Sequence, residues 1–220
     1  MGYSAGGDGT YQLAPRMADR LAAAAMMAGH PNETSPLGLR NIGFTIHVGG
    51  EDSGFNRNKI AGEWAVKLAD LQKADPKGYP HWVHVHKGRP HWMNLEDKEA
   101  IPWMEKFTRN PLPEKVVWQQ DDVTHERLYW LALSKGDARG GQLITAERNG
   151  QKLNVTAKDA ARVTVLLNDH LLNMDETVNI TFNGSALEPK RSRRTAAVIQ
   201  RTMAERGDPR LVFSGEITVP

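Results

Sequence analysis

The 220-residue chain has no cysteine, so disulfides, thiol catalysis and cysteine-bound metal are excluded. It has no apolar run approaching the ~20 residues that span a bilayer. The longest candidate, Leu21 to Ala28, is mostly alanine and methionine. The first residues show no basic patch before an apolar stretch, so no signal peptide is expected. A large excess of either charge is also missing. Lys plus Arg number 28 and Asp plus Glu 26, a net charge of +2, which argues against nucleic acid as the main partner. No internal repeat and no low-complexity tract is visible. What is present, 40% hydrophobic and 25% charged residues, suits a folded globular chain rather than a fibrous or disordered one.

The pattern changes at Asn110-Pro111-Leu112-Pro113, where two prolines suit a linker. This predicts two domains, 1–110 and 114–220. In the first, a glycine-rich turn over Gly2–Gly9 leads to a helix from about Thr10 to Arg20, interrupted at Pro15. Leu21–Ala28 fits a buried strand or a helix equally, because periodicity does not separate them. Gly43–Val48 alternates as a strand. Asn56–Asp75 has helical period, with Ile60, Trp64, Leu68 and Leu71 on one face and Asn56 as its cap. Trp82–Lys87 is a strand with Trp82, His84 and His86 on one face. A last helix is expected over Leu95–Phe107. Strand, helix and strand in this order predict an α/β fold with parallel strands.

The second domain reads as short alternating strands: Val116–Trp118, Leu128–Leu133, Gln142–Arg148, Gln151–Thr156, a strand through Val163–Leu167, one through Val178–Phe182, and Leu211–Val219. Asn149-Gly150 and Asn183-Gly184 mark turns. Thr195–Glu205 fits a short helix. The whole suggests a β-sandwich-like domain.

Chemistry gathers at the front. Gly2-Tyr3-Ser4-Ala5-Gly6 fits G-x-S-x-G, a sharp strand-to-helix turn that exposes a serine hydroxyl and leaves the next amide, that of Ala5, free for an oxyanion. The flanking glycines are expected to be required by close backbone. A serine nucleophile needs a base, and the base an orienting carboxylate, in the chain order serine, acid, histidine. Glu51 and Asp52 follow the strand Gly43–Val48, and His91 follows Trp82–Lys87. Ser4, Asp52 and His91 are thereby predicted on three successive loops at one sheet edge.

These residues resemble the α/β-hydrolases. Gly2-Tyr3-Ser4-Ala5-Gly6-Gly7-Asp8-Gly9, Gly49-Gly50-Glu51-Asp52, Phe55-Asn56-Arg57 and His91-Trp92 are similar to esterases related to polyhydroxyalkanoate depolymerases and phospholipase/carboxylesterases. The resemblance covers about Gly2 to Phe107. It implies Ser4 as nucleophile, His91 as general base and Asp52 as orienter, with an acyl-enzyme on a small-molecule or lipid-like ester and no cofactor. Asp52 takes the family position, and Glu51 stands as the alternative acid. Tyr3 and Trp92 are placed in the substrate pocket. The β-rich half resembles the C-terminal extension of some bacterial esterases. Such a hydrolase carries about five strands before its elbow, and here only Met1 precedes it. The expectation is therefore a truncated α/β-hydrolase sheet without a strand leading into the turn. It would be weakly active or inactive alone, with an exposed edge open to a protein partner or to self-association. The alternative is a non-catalytic β-rich binding module with a vestigial hydrolase half.

Three other groupings carry less. His81, His84, His86 and His91 lie close together, but His81 precedes the strand and no third ligand has a fixed spacing. They read as hydrogen-bonding histidines, and no metal is expected. Lys190–Arg194 is a basic run that suits a solvated loop. The six tryptophans follow helix and strand faces and suit core packing, except Trp92.

Overall fold

A computed structural model describes residues 1–220. The chain forms two compact units, Met1–Asn110 and Pro111–Pro220. It is a mixed α/β protein with one parallel sheet and two further sheets that are mainly antiparallel.

In the first unit four parallel strands, β1 (Gly2–Tyr3), β2 (Ala23–Met27), β3 (Gly43–Gly49) and β4 (His81–His86), lie in sequential order. Helix α1 (Ala5–Arg16) joins β1 to β2, and α2 (Arg57–Ala74) joins β3 to β4. A short helix, α3 (Ala100–Met104), follows β4 after a 3₁₀ turn over Glu96–Glu99. Alternation sorts the side chains of β3 between two faces. Phe44 packs with Tyr11 of α1 and Trp64 of α2 in a three-ring cluster, centroids 4.6–6.2 Å apart. On the other face Ala25 and Met27 of β2 pack with Met93 and Ala100. Thr45 and His47 of β3 share that second face with Trp82, His84 and His86 of β4; in register, Trp82 lies opposite Thr45, His84 opposite His47 and His86 opposite Gly49.

Several expectations are corrected. A strand does lead into the serine turn: Gly2 and Tyr3 pair with Met26 and Met27. Two residues with no alternation give no strand signal. Helix α1 begins at Ala5, and Pro15 sits in its last turn rather than splitting it. The ambiguous Leu21–Ala28 contains a strand. Alanine and methionine favour helix, but five residues cannot form a stable one, while β1 and β3 satisfy this backbone on both sides. Asn56 stands before α2 but does not cap it. Its φ is 55° and its side chain makes no cap bond; the amide of Asn58 donates to the Asp52 carbonyl instead, at 3.1 Å. The expected helix over Leu95–Phe107 is the 3₁₀ turn plus the single turn of α3.

The second unit contains β5 (Lys115–Gln119), β6 (Arg127–Leu128), β7 (Leu131–Ala132), β8 (Leu143–Asn149), β9 (Lys152–Lys158), β10 (Val163–Leu167), β11 (Asn179–Phe182), β12 (Ser185–Ala186), α4 (Ala196–Arg206) and β13 (Gly215–Val219). One sheet has the order β12-β11-β9-β8-β5, with β9 and β11 parallel, and the other β13-β10-β7-β6. Each buries alternate residues: Val116 and Trp118, Ile144 and Ala146, Leu153 and Val155 in the first, and Val163, Val165, Ile217 and Val219 in the second. Asn183 and Gly184 both take positive φ, 46° and 81°, the requirement of a type I′ hairpin turn. Thr195 caps α4 by accepting from the Val198 amide at 3.3 Å, and Gly207 ends it at φ 60°. The expected single strand Leu128–Leu133 is instead two short strands, because Tyr129 turns the chain at φ 53°.

Candidate active site

The triad candidates come from three loops at the same end of the parallel sheet. Ser4 follows β1, Asp52 follows β3 and His91 follows β4. The loops are not successive, since β2 intervenes; what matters is the shared rim, because strand C-termini in a parallel sheet open onto one crevice.

Ser4 sits at φ 55°, ψ −119°, outside the regions that L-residues ordinarily occupy. Such strain persists only where the surroundings fix it. Here the Ser4 amide donates to the Met27 carbonyl at 2.9 Å, and the Ser4 carbonyl accepts from the Asp8 amide at 2.9 Å. Strand pairing holds one side of the turn and the first helical bond the other. The glycines divide in a way the motif does not show. A Cβ on Gly2 would lie 1.9 Å from the Gly6 carbonyl oxygen, so Gly2 is obligatory. A Cβ on Gly6 meets nothing within 4 Å, which corrects the expectation that both flanking glycines are needed. The tight approach is one residue later, where a Cβ on Gly7 would lie 2.5 Å from the Met27 carbonyl oxygen.

The acid and base loops are joined by backbone. The Gly50 amide donates to the His86 carbonyl at 2.8 Å, and the Glu51 amide to the Arg89 carbonyl at 2.9 Å. A Cβ on Gly49 would lie 2.0 Å from the Pro90 carbonyl oxygen, so only glycine permits this approach. Asn58 donates through Nδ2 to the Gly50 carbonyl at 2.9 Å.

This frame aligns the side chains. Asp52 Oδ2 lies 2.7 Å from His91 Nδ1, and His91 Nε2 lies 3.0 Å from Ser4 Oγ. An ionised carboxylate only accepts, so Nδ1 carries the proton and neutral Nε2 is left to accept from the serine hydroxyl. Asp52 is buried, its side chain 3% exposed, and its second oxygen lies 3.6 Å from Arg57 Nη1. Burial and the contacts to His91 and Arg57 fix the position of the carboxylate. Glu51 is exposed and not part of this chain of bonds. His91 is 41% exposed. The Ala5 amide opens α1, where the helix dipole and unpaired N–H groups favour negative charge.

Tyr3 supports the base loop. Its hydroxyl donates to the His91 carbonyl and accepts from the Met93 amide at 3.2 Å, and its ring lies 5.9 Å from that of His91. It anchors the loop that carries the imidazole. Burial raises its pKa, consistent with a phenol that stays protonated and donates. Trp92 is 54% exposed, its ring 5.5 Å from Tyr3, and remains available to an incoming group.

The remaining histidines separate. His81 Nδ1 lies 2.8 Å from the Tyr79 carbonyl oxygen. His84 and His86 instead meet His47 and Glu99 on the second sheet face, away from Ser4 in sequence and strand position. Sequence spacing missed this foursome, since strand register brings His47 beside His84 and α3's approach brings Glu99. Burial, and then the neighbouring His86 and His84, lower the His47 pKa to about 3. The basic run is partly consumed within its own unit, where Arg194 pairs with Asp169 and Asp175. No helix is long and apolar enough to cross a membrane.

Comparison with known proteins returns no matching family model, curated protein or solved structure.

Proposed function

We propose that the first unit is a serine carboxylic-ester hydrolase site of α/β-hydrolase type, working through an acyl-enzyme. The observation that carries this reading is the Asp52–His91–Ser4 chain, 2.7 and 3.0 Å, ending on a serine at φ 55° directly before a helix N-terminus. Sequential parallel strands, with the serine after the first, the acid after the third and the histidine after the fourth, support the same fold type. In this reading Ser4 Oγ attacks the ester carbonyl carbon as its proton passes to His91 Nε2. The carbonyl oxygen gains charge, and the Ala5 amide donates to it. His91 returns the proton to the departing alcohol. Water, activated by the same nitrogen, then releases the acid and restores Ser4. Asp52 holds the tautomer and stabilises the imidazolium. Trp92 offers the exposed apolar wall for an acyl or alcohol group. The substrate class is a small or lipid-like ester.

Labelling with a fluorophosphonate probe tests the nucleophile without requiring a complete substrate pocket. The expected result is one labelled serine, lost in Ser4→Ala. A folded chain that never labels favours the alternative, a β-rich binding module beside a vestigial hydrolase half. Hydrolysis of a short p-nitrophenyl ester, sensitive to Ser4→Ala, measures the turnover.

A further inference from the structure

We infer that His47, His84, His86 and Glu99 form a binding site for a divalent transition cation of the zinc class. The cluster lies on the sheet face away from α1 and α2, and the acyl-transfer reading makes no use of it. Its donor atoms, one from each residue, all fall within 4.8 Å of one another. His47 Nδ1 is 3.2 Å from His86 Nε2 and 3.7 Å from Glu99 Oε1, and His86 Nε2 is 3.8 Å from Glu99 Oε1. His84 Nδ1 contacts the same carboxylate oxygen. Four donors at zinc's bond length of about 2.0–2.1 Å stand roughly 3.3–3.4 Å apart at the corners of a tetrahedron. The observed separations bracket that spacing.

The surroundings orient the donors as a metal requires. Thr45 Oγ1 donates to the Trp82 carbonyl at 2.8 Å, and a hydroxyl has only one proton to give. Its 2.9 Å contact with His47 Nε2 must therefore be accepted from that nitrogen. The proton of neutral His47 is thus held at Nε2, and the Nδ1 lone pair points into the cluster. A ligand imidazole fixed through its other nitrogen is the usual outer-shell arrangement of metal sites. On His86, Nδ1 lies 3.8 Å from Glu96 Oε2, leaving Nε2 for the centre. His84 and His86 stack with centroids 4.1 Å apart, bringing two rings of one strand to the same point. An open groove of about 760 Å³, lined in part by His84, His86, Glu99 and Ile101, gives an ion a way in. Imidazole and carboxylate donors suit zinc and its transition-metal neighbours over magnesium or calcium, which want more oxygen ligands.

A bound ion would join β3, β4 and the turn before α3. It would close the loop bearing His91 between His86 at its start and Glu99 beyond its end. The consequence for His91 rests on the acyl-transfer reading; the metal site does not.

The test is zinc retention by the full chain, measured by elemental mass spectrometry after incubation with Zn²⁺ and desalting, in a Ser4→Ala background. The expected result is about one zinc per chain, with a raised melting temperature and no comparable effect of Mg²⁺. His84→Gln and Glu99→Gln, both at half-exposed positions, should each weaken retention roughly tenfold or more, while His81→Gln on the same strand retains it. Folding of each variant is checked by circular dichroism. A folded wild type that keeps no zinc overturns the site. So does zinc that survives both His84→Gln and Glu99→Gln. Hydrolysis is not measured, so failure here leaves the proposed ester chemistry standing, and failure of labelling leaves this site standing.

Discussion

The two units treat buried polar groups differently. In Pro111–Pro220, buried charge is structural. Arg127 donates to Glu205 at 2.8 Å, to the carbonyls of Thr202 and Leu211, and lies 5.2 Å from the Phe213 ring centroid. Every one of those partners ties loops or α4 into the same core. Met1–Asn110 also has a structural pair, Arg40 with Asp75 at 2.8 Å, but it adds buried polar groups that aim at each other and at solvent-facing atoms: Asp52 at His91 and through it Ser4, and His47 at His86. The first unit also carries the serine turn at φ 55°, whereas Asn183 and Gly184 of the second take positive φ in an ordinary hairpin turn. A polar group that ends on backbone carbonyls stabilises a fold. One that ends on a half-exposed hydroxyl or a converging lone pair is available for chemistry.

The sharpest way to break that contrast is Asp52→Asn. An amide at Nδ1 favours the wrong tautomer, and the rate of fluorophosphonate labelling should fall by roughly 10²–10⁴. The melting temperature of the second unit should not move. Labelling at the wild-type rate would mean that Asp52 only packs. Arg127→Ala is the converse. Losing a buried donor to three acceptors should cost about 2–3 kcal/mol, discounted because Glu205 is 42% exposed and regains water. Denaturant melts would read this in the second unit, with Ser4 labelling unchanged.

Gly49→Ala sharpens the account of the rim. Its Cβ would lie 2.0 Å from one backbone oxygen and 2.4 Å from another, and neither belongs to a flexible side chain. Separating the acid and base loops should cost about 1–3 kcal/mol and slow labelling together. Loss of stability with labelling intact would show that the loops need not touch.

The candidate site was more legible in the sequence than the fold around it. Ser4, Asp52 and His91 stand in chain order beside recognisable strand ends, so a motif and two loops suffice to nominate them. β1 was invisible because two residues have no period. The Leu128–Leu133 hairpin was invisible because nothing in the letters tells that Tyr129 adopts φ 53°. Ala23–Met27 was ambiguous because local preference favours helix and only its two neighbouring strands decide. The foursome of His47, His84, His86 and Glu99 could not be read from spacing, because it depends on the β3–β4 register and on where Glu99 is delivered. The alternation of Trp82, His84 and His86 was the available signal, and it gave half of the set.

The smallest effect separates steric need from motif habit. Gly6 closes the G-x-S-x-G pattern, yet it lies within α1, has no positive φ, and has open space where a Cβ would go. Alanine there replaces the residue with the greatest unfolded-state freedom by the best helix former. Gly6→Ala should therefore stabilise the first unit by about 0.4–1 kcal/mol. Labelling of Ser4 should continue, because the methyl meets neither the turn nor the Met27 carbonyl. Gly2→Ala, at the other end of the five-residue motif, would place its Cβ 1.9 Å from the Gly6 carbonyl oxygen and should instead disrupt the turn. If the two substitutions behaved alike, the pattern itself, rather than the contact each glycine permits, would govern this turn.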